Sequence, residues 1–225
     1  LQLRYGQIAQ TPDAVAFPES REEVRAVLQQ AAQLGCVVIP YGGGTSVAGH
    51  VNVQASSRPV ITLVMQRMMQ LQSLDKEAQL ATFGAGVLGP DLEAQLRAHG
   101  FTLGHFPQSF EYSTLGGWIA TRSAGQESST YGRIEDIVIS LKAATPVGEI
   151  NTSVYEGDAE GISIKSLFYG SEALLGVVTE AKVRIHPLPP HKKWLVAVFP
   201  TYQHGLNAIQ QLVQANIFPS VVRYS

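Results

Sequence analysis

The sequence predicts an α+β fold. Its first forty residues read as a βαβ unit, which makes a parallel strand pair, whereas two β-rich runs flanking Thr145-Pro146-Val147-Gly148 read as an antiparallel hairpin. At 225 residues, 45% hydrophobic and 15% charged, the chain can bury a sizeable core without staples, as one large domain or one domain plus the start of another.

The elements follow in order. Ala14-Val15-Ala16-Phe17 is a short apolar run. Ser20-x-x-Glu23 after Pro18 is a capping box, and Val24, Val27, Leu28, Ala31 and Leu34 recur at helical spacing before Gly35. Cys36-Val37-Val38-Ile39 returns as a buried strand, Val60-Ile61-Thr62-Leu63-Val64 is a third strand and Gln79-Leu80-Ala81-Thr82-Phe83 a fourth. Pro90, Leu92, Leu96 and Gly100 outline a second helix, proline near its start and glycine past its end. Between Gly104 and Gly132 periodicity fails in favour of Gly, Ser, Thr and aromatics, and long irregular stretches inside compact domains usually serve function. The hairpin occupies 136–153, and 177–185 is a further strand. His186-Pro187-Leu188-Pro189-Pro190-His191 is poor in backbone donors and reads as a stiff linker. Beyond it, Trp194-Leu195-Val196-Ala197-Val198-Phe199 is a strand, Leu206, Ile209, Leu212 and Val213 share a helix face, and Ser220-Val221-Val222-Arg223-Tyr224-Ser225 starts another strand. Residues 1–188 therefore read as one domain and 189–225 as the opening of a second. Leu1 is no initiator and the chain stops inside a strand, so it reads as a piece of a longer protein.

Composition excludes several classes. No apolar run approaches bilayer length, so the chain reads as soluble. A net charge of −2 without a Lys/Arg stripe argues against nucleic acid, which demands neutralisation of many phosphates. The six histidines lack metal-ligand spacing, so no metal is expected. Cys36, the single cysteine, lies in an apolar run as a small buried hydrophobe, which fits a reducing, cytoplasmic compartment.

Three glycine-rich stretches carry chemistry. In Pro40-Tyr41-Gly42-Gly43-Gly44-Thr45-Ser46, three glycines follow a strand directly, so successive N–H groups can converge on an anion while Thr45 and Ser46 add hydroxyl donors. A pyrophosphate suits such a loop. Gly84-Ala85-Gly86-Val87-Leu88-Gly89 matches the dinucleotide fingerprint G-x-G-x-x-G between strand and helix, but Leu103-Gly104-His105 stands where an acid should hold a ribose. A closely packed strand-to-helix turn is the preferred reading there. Gly44-x-Ser46-x-Ala48 resembles a nucleophile elbow, yet no helical pattern follows the serine. Pro107 to Thr114 and Thr121 to Gly125 flank Gly116-Gly117-Trp118; the helix turn after Ser113 should present free N–H groups, and Arg122 is either an anion partner or a solvated charge. Gly170-Ser171-Glu172-Ala173-Leu174-Leu175-Gly176 is another turn entering a strand.

In this order the segments resemble the FAD-binding domain, of the PCMH type, of the vanillyl-alcohol oxidase superfamily. The likeness covers nearly the whole chain. It rests on the Pro40 to Ser46 loop, on Gly104-His105-Phe106-Pro107 leading to Ser113-Thr114-Leu115-Gly116-Gly117-Trp118, on Thr121-Arg122-Ser123, on Tyr131-Gly132-Arg133-Ile134-Glu135-Asp136 and on Gly170-Ser171-Glu172. The Gly-Gly-Trp and Thr-Arg pairs point to the alkyldihydroxyacetonephosphate synthase branch and its bacterial FAD-linked oxidase relatives. The resemblance implies two α/β subdomains, a small mostly parallel sheet and a larger antiparallel one with helices, with extended FAD between them. Carried over, Pro40, Tyr41, Gly42, Gly43, Gly44, Thr45 and Ser46 would cradle the pyrophosphate. Pro107, Gln108, Ser109, Phe110, Glu111, Tyr112 and Ser113, with Ala120, Thr121, Arg122 and Ser123, would line the flavin side. Glu172, Ala173, Leu174, Leu175, Gly176, Val177 and Val178 would complete the pocket.

Relatives commonly carry aspartate at the position of Gln108 and glycine-threonine at Ala173-Leu174, and both departures fall in expected FAD contacts. Some members attach FAD through a histidine in the glycine loop; positions 41–46 hold none, so FAD is expected to be non-covalent. Alkyl synthases use FAD without net redox change, exchanging an acyl for an alkyl chain on dihydroxyacetone phosphate. The alternatives are an FAD-linked 2-hydroxy-acid dehydrogenase of the lactate or glycolate type and a degenerate flavin fold acting as an interaction module. The resemblance places the acid-base residues and a small-molecule or lipid-like substrate in a cap domain beyond Ser225, and a homodimer is one candidate assembly.

Overall fold

The computed structural model describes residues 10–155 and 161–224. Its first unit is β1 (Ala14–Ala16), α1 (Arg21–Leu34), β2 (Val37–Tyr41) and β3 (Val60–Val64), whose strands form a parallel sheet in the order β1-β3-β2. Ser20 Oγ accepts from the Glu23 N–H at 3.2 Å, as expected of an N-cap. The Glu23 carboxylate reaches past Ser20 to the Glu19 N–H at 2.8 Å, so the reciprocal half of the box is displaced by one residue. Gly35, at φ 68°, ends the helix in the left-handed region that glycine occupies at least cost.

Two expectations change here. β2 is an edge strand and half-buried along its length, whereas β3, central in the sheet, buries Val60 and Leu63. Cys36 is likewise half-buried rather than enclosed, because it sits at the helix-to-strand junction with its N–H on the Ala31 carbonyl at 2.8 Å.

A 3₁₀ turn (Met65–Arg67) leads to β4 (Leu71–Asp75), β5 (Leu80–Gly84), α2 (Gly89–Arg97) and the two-residue β6 (Phe101–Thr102). The aperiodic region contains α3 (Leu115–Ala120), α4 (Ser128–Tyr131) and α5 (Ile134–Ile137). The hairpin is β7 (Val138–Thr145) and β8 (Gly148–Asn151), followed by α6 (Ile164–Phe168), β9 (Val177–Arg184), β10 (His186–Pro187) and α7 (Tyr202–Gln214). β4, β5, β9, β7 and β8 pair in that order as an antiparallel sheet. A small parallel sheet and a larger antiparallel one therefore share the chain.

The main core lies between the large sheet and the helices α2 and α3, around Phe83, Leu92, Leu96, Leu115, Trp118, Ile119 and Leu141. A second cluster joins the sheets: α1 drives Val24 and Leu28 against Leu63 and Met65 on one side and Ala144 and Val177 on the other. That shared face fixes the relative position of the two sheets, because interiors pack at near-crystalline density and tolerate little sliding.

β4 had no sequence signal, since Leu-Gln-Ser-Leu-Asp at a sheet edge leaves most side chains exposed. The expected linker is partly a ladder: His186 and Pro187 pair with Thr102 and Phe101, and the Leu188 N–H donates to the Gly100 carbonyl at 2.9 Å. The run from Trp194 to Phe199 forms no strand, nor does the segment from Ser220 to Tyr224; Leu195, Val196 and Val198 are more than 90% exposed, and no strand among the described residues offers them a ladder.

Candidate functional site: a cofactor cavity

Where the C-terminal end of β2 meets α3 and the start of β9, a cavity of about 680 Å³ opens, within the range of cofactor sites. Pro40 and Tyr41 still belong to β2, so the loop proper begins at Gly42. Pro40, Tyr41, Gly42, Gly43, Gly44, Thr45 and Ser46 all line the cavity. The backbone N–H groups of Gly43, Gly44, Thr45, Ser46 and Val47 donate to no protein acceptor among the described residues. Unpaired backbone donors beside a cavity call for an acceptor, and an oxyanion supplies several.

The three glycines serve the loop in two different ways. Only Gly44 has a positive φ, 70°, and it lies under the Tyr41 hydroxyl. A Cβ on Gly42 would meet Thr114 Oγ1, and one on Gly43 would fall on the Tyr112 carbonyl oxygen. Glycine is required at 42 and 43 because the loop lies directly on the 112–114 backbone.

The fingerprint stretch behaves in the opposite way. The N–H groups of Gly84, Ala85, Gly86, Val87 and Gly89 donate to the carbonyls of Gln70, Thr179, Met68, Gly84 and Ser113 at 3.0 to 3.3 Å. A Cβ on Gly84 or Gly86 would strike the Met68 or Met65 carbonyl. This is a tightly packed strand-to-helix turn in which, among the described residues, Leu88 alone keeps an N–H without an acceptor, so no run of donors faces a phosphate.

Of the flavin-side residues, Ser109, Ser113, Ala120, Thr121 and Ser123 line the cavity, whereas Pro107, Gln108, Phe110, Glu111, Tyr112 and Arg122 do not. Phe110 supports the wall from behind, its ring 5.1 Å from Phe106 and stacked 6.4 Å from Trp118, and Tyr112 is turned to solvent. Arg122 donates from Nε to Glu135 Oε1 at 3.0 Å, outside the cavity, so it serves a carboxylate of this chain. The first turn of α3 does not present free N–H groups either. Leu115 and Gly116 donate to the carbonyls of Val87 and Ala85, and Gly117 to Thr114 Oγ1, because Thr114 rather than Ser113 is the N-cap.

Thr114, Gly116, Gly117 and Trp118 also line the cavity, although the sequence shows them only as markers of the family resemblance. Trp118 donates from Nε1 to Ser113 Oγ at 2.7 Å, and Ser113 Oγ donates to the Ser109 carbonyl at 2.8 Å, so one chain of hydrogen bonds orders this wall. His105, fully buried, holds Ser123 with an Nε2 to Oγ distance of 2.7 Å. Burial lowers the His105 pKa to about 4 against a smaller opposing pull from Glu135, so the imidazole is neutral at physiological pH.

On the third wall Glu172, Ala173, Leu174, Gly176, Val177 and Val178 line the cavity together with Ser171, and Leu175 faces away. Glu172 and Ala173 have φ of 49° and 68°, in the region where a Cβ crowds the following carbonyl. Ala173→Gly relieves one such residue at some cost in unfolded-chain entropy, so the cofactor-free protein is expected to gain about 0.5–1 kcal/mol. Urea denaturation checks this, and a loss of stability would mean that Ala173 is not strained.

Ser46 Oγ lies 2.9 Å from His50 Nδ1, but Glu172 Oε2 lies 2.7 Å from the same nitrogen, and Ser46 Oγ also accepts from the Gly49 N–H at 3.0 Å. A catalytic triad needs nucleophile and acid on opposite imidazole nitrogens. The nucleophile-elbow reading therefore fails, and Ser46 braces the loop. His50 is a lining residue that the sequence did not reveal, since nothing local marks its partnership with a residue over a hundred positions away.

Comparison with known proteins matches the geometry. The family model described as an FAD binding domain matches residues 12–153. The chain is 37% identical over 223 residues to an alkyldihydroxyacetonephosphate synthase of Dictyostelium discoideum, covering 99% of this chain and 36% of that protein. It is 33% identical over 194 residues to a mitochondrial D-lactate dehydrogenase of Arabidopsis thaliana, covering 84% of this chain and 33% of that one. A solved structure of an alkyldihydroxyacetonephosphate synthase superposes with a TM-score of 0.89 at 37% identity, over 98% of this chain and 40% of that one. The chain thus spans about a third of the length of these curated relatives. With the match running over most of the two sheets and the glycine loop, this chain belongs to the FAD binding domain family.

Proposed function

We propose that this chain holds FAD non-covalently as the cofactor-binding part of an enzyme resembling the alkyldihydroxyacetonephosphate synthases. One observation carries the site: five consecutive backbone donors, from Gly43 to Val47, have no acceptor among the described residues and stand beside a cavity of about 680 Å³. They would receive the pyrophosphate, and the wall of Ser109, Ser113 and Ser123 would take the flavin end. FAD, when bound, supplies the electron-accepting ring chemistry; the chain's own residues orient it and exclude water from one side. Non-covalent attachment is supported by a lining without cysteine, in which the one histidine, His50, is held by Ser46 and Glu172. The acid-base residues and the small-molecule or lipid-like substrate would belong to the further length that the relatives have.

Reconstitution with FAD tests the cofactor reading. After desalting, the protein is expected to be yellow at one flavin per chain, to melt about 5–10 °C higher in saturating FAD, and to release all flavin on acid precipitation. A colourless protein with no thermal shift would count against it, and flavin retained in the precipitate would overturn non-covalent attachment. For the enzyme, turnover of acyl-dihydroxyacetone phosphate by the full-length protein supports the alkyl synthase reading. Dye reduction with lactate or glycolate instead would place it among the 2-hydroxy-acid dehydrogenases. The interaction-module alternative loses part of its motive, because Gln108 lies outside the cavity; Ala173 and Leu174 remain on its wall.

A further inference from the structure

A diphosphate brings two negative charges into this cavity, and among the described residues the lining has no lysine or arginine to meet them. It has one carboxylate, Glu172, which makes the imbalance worse. Besides Tyr41, the only other titratable group on the walls is His50, and His50 alone can become a cation there.

The contacts of His50 determine where its proton sits. Glu172 Oε2 lies 2.7 Å from Nδ1, and a carboxylate only accepts, so Nδ1 carries hydrogen. Ser46 Oγ is on the same nitrogen at 2.9 Å. Nε2 has no hydrogen-bond partner among the described residues, and in the neutral ring it bears a lone pair. A phosphate oxygen approaching that lone pair is repelled; approaching a protonated Nε2 it gains a charge-assisted hydrogen bond. The pair also ties the glycine loop to the 170–176 turn, so both ends of the contact are held. The ring is 30% exposed, which lets a proton reach it from solvent.

We propose that FAD binding is coupled to uptake of one proton by His50 at Nε2, and that the resulting imidazolium is the side-chain cation opposite the diphosphate. This rests on the FAD reading of the cavity. The proton comes from water or buffer and remains on the imidazole while the cofactor is bound. By linkage, a group that binds its proton more tightly in the complex makes the complex tighter as pH falls.

Calorimetric titration of FAD into the full chain, in two buffers of different ionisation enthalpy at the same slightly alkaline pH, reads the proton count directly. Net uptake of up to one proton per FAD is expected. His50→Gln should abolish the uptake and weaken FAD about tenfold, as for the loss of a charged hydrogen bond. His50→Lys, a permanent cation, should recover most of the affinity with no proton uptake; a merely structural role for the ring would give no such recovery. Binding with zero proton exchange, or uptake that survives in His50→Gln, overturns the proposal and leaves FAD binding intact. Absence of binding heat together with absence of retained chromophore overturns the FAD reading, and this inference with it.

Discussion

Gly43→Val is expected to lose FAD, with affinity reduced at least about 100-fold. The cause is a collision between backbones. A Cβ at position 43 would coincide with the Tyr112 carbonyl oxygen and come within 2.5 Å of its carbon and 3.0 Å of Ser113 Cα. A flexible side chain could swing aside; a main-chain carbonyl beneath the loop cannot. The loop must lift, which disperses the N–H groups from Gly43 to Val47, or the 112–113 segment must retreat and open the flavin wall. Overpacking of this kind typically costs about 1–3 kcal/mol. Gly148→Ala is the control, because a Cβ there meets nothing within 4 Å, so FAD affinity should be unchanged and stability no lower. Circular dichroism with FAD titration separates misfolding from lost binding. A folded Gly43→Val protein with wild-type affinity would place the pyrophosphate elsewhere.

The largest loss of stability is expected from Glu93→Ala. Glu93, on α2, is 5% exposed. Its carboxylate accepts from Thr102 Oγ1 at 2.9 Å to both oxygens, from the Leu103 N–H at 2.9 Å and, more weakly, from the Gly104 N–H at 3.4 Å, with Arg97 Nε 3.4 Å away at the rim. Alanine would leave the buried Leu103 N–H without an acceptor and Thr102 Oγ1 without its carboxylate, while the Gly104 N–H keeps Thr102 Oγ1 at 3.2 Å, and the loss should be about 3 kcal/mol. Glu93→Gln keeps one acceptor and should recover roughly half of that. FAD affinity should fall with stability in the alanine variant, since the anchored segment leads directly to His105 and through it to Ser123. Urea denaturation reads the order wild type, Gln, Ala; an alanine variant within about 0.5 kcal/mol of wild type would show that the turn stands without its carboxylate. Glu93 also answers a question the sequence left open. The fingerprint lacks an acid after its second strand, and the acid in this region comes from the helix and binds the chain's own backbone.

Much of the framework was legible because it rests on local rules. Ser20, Glu23 and Gly35 bound α1 through capping chemistry within a few residues, and Thr145-Pro146-Val147-Gly148 predicts the β7–β8 hairpin through its turn. What failed did so where the deciding partner is remote. β4 is recognisable only from its pairing with β5, and the apolar run at 194–199 reads as a strand but has no neighbour among the described residues to complete it. Arg122 looked like an anion ligand until Glu135, thirteen residues on, claimed its guanidinium.

By itself the sequence determined the βαβ unit, the hairpin and the presence of a glycine loop suited to a phosphate, since φ, capping and periodicity depend on neighbours along the chain. It set the more regular fingerprint at Gly84 to Gly89 aside only through its missing acid. The tertiary structure supplies the stronger ground, pairing every fingerprint N–H but that of Leu88 with a carbonyl of the chain, while those from Gly43 to Val47 have no partner among the described residues. It also added to the reason for Gly42 and Gly43 their contact with the 112–114 backbone, and brought His50 to Glu172. Hydrogen-bond satisfaction and steric contact depend on which distant segments meet, and that is decided when the two sheets close on α1.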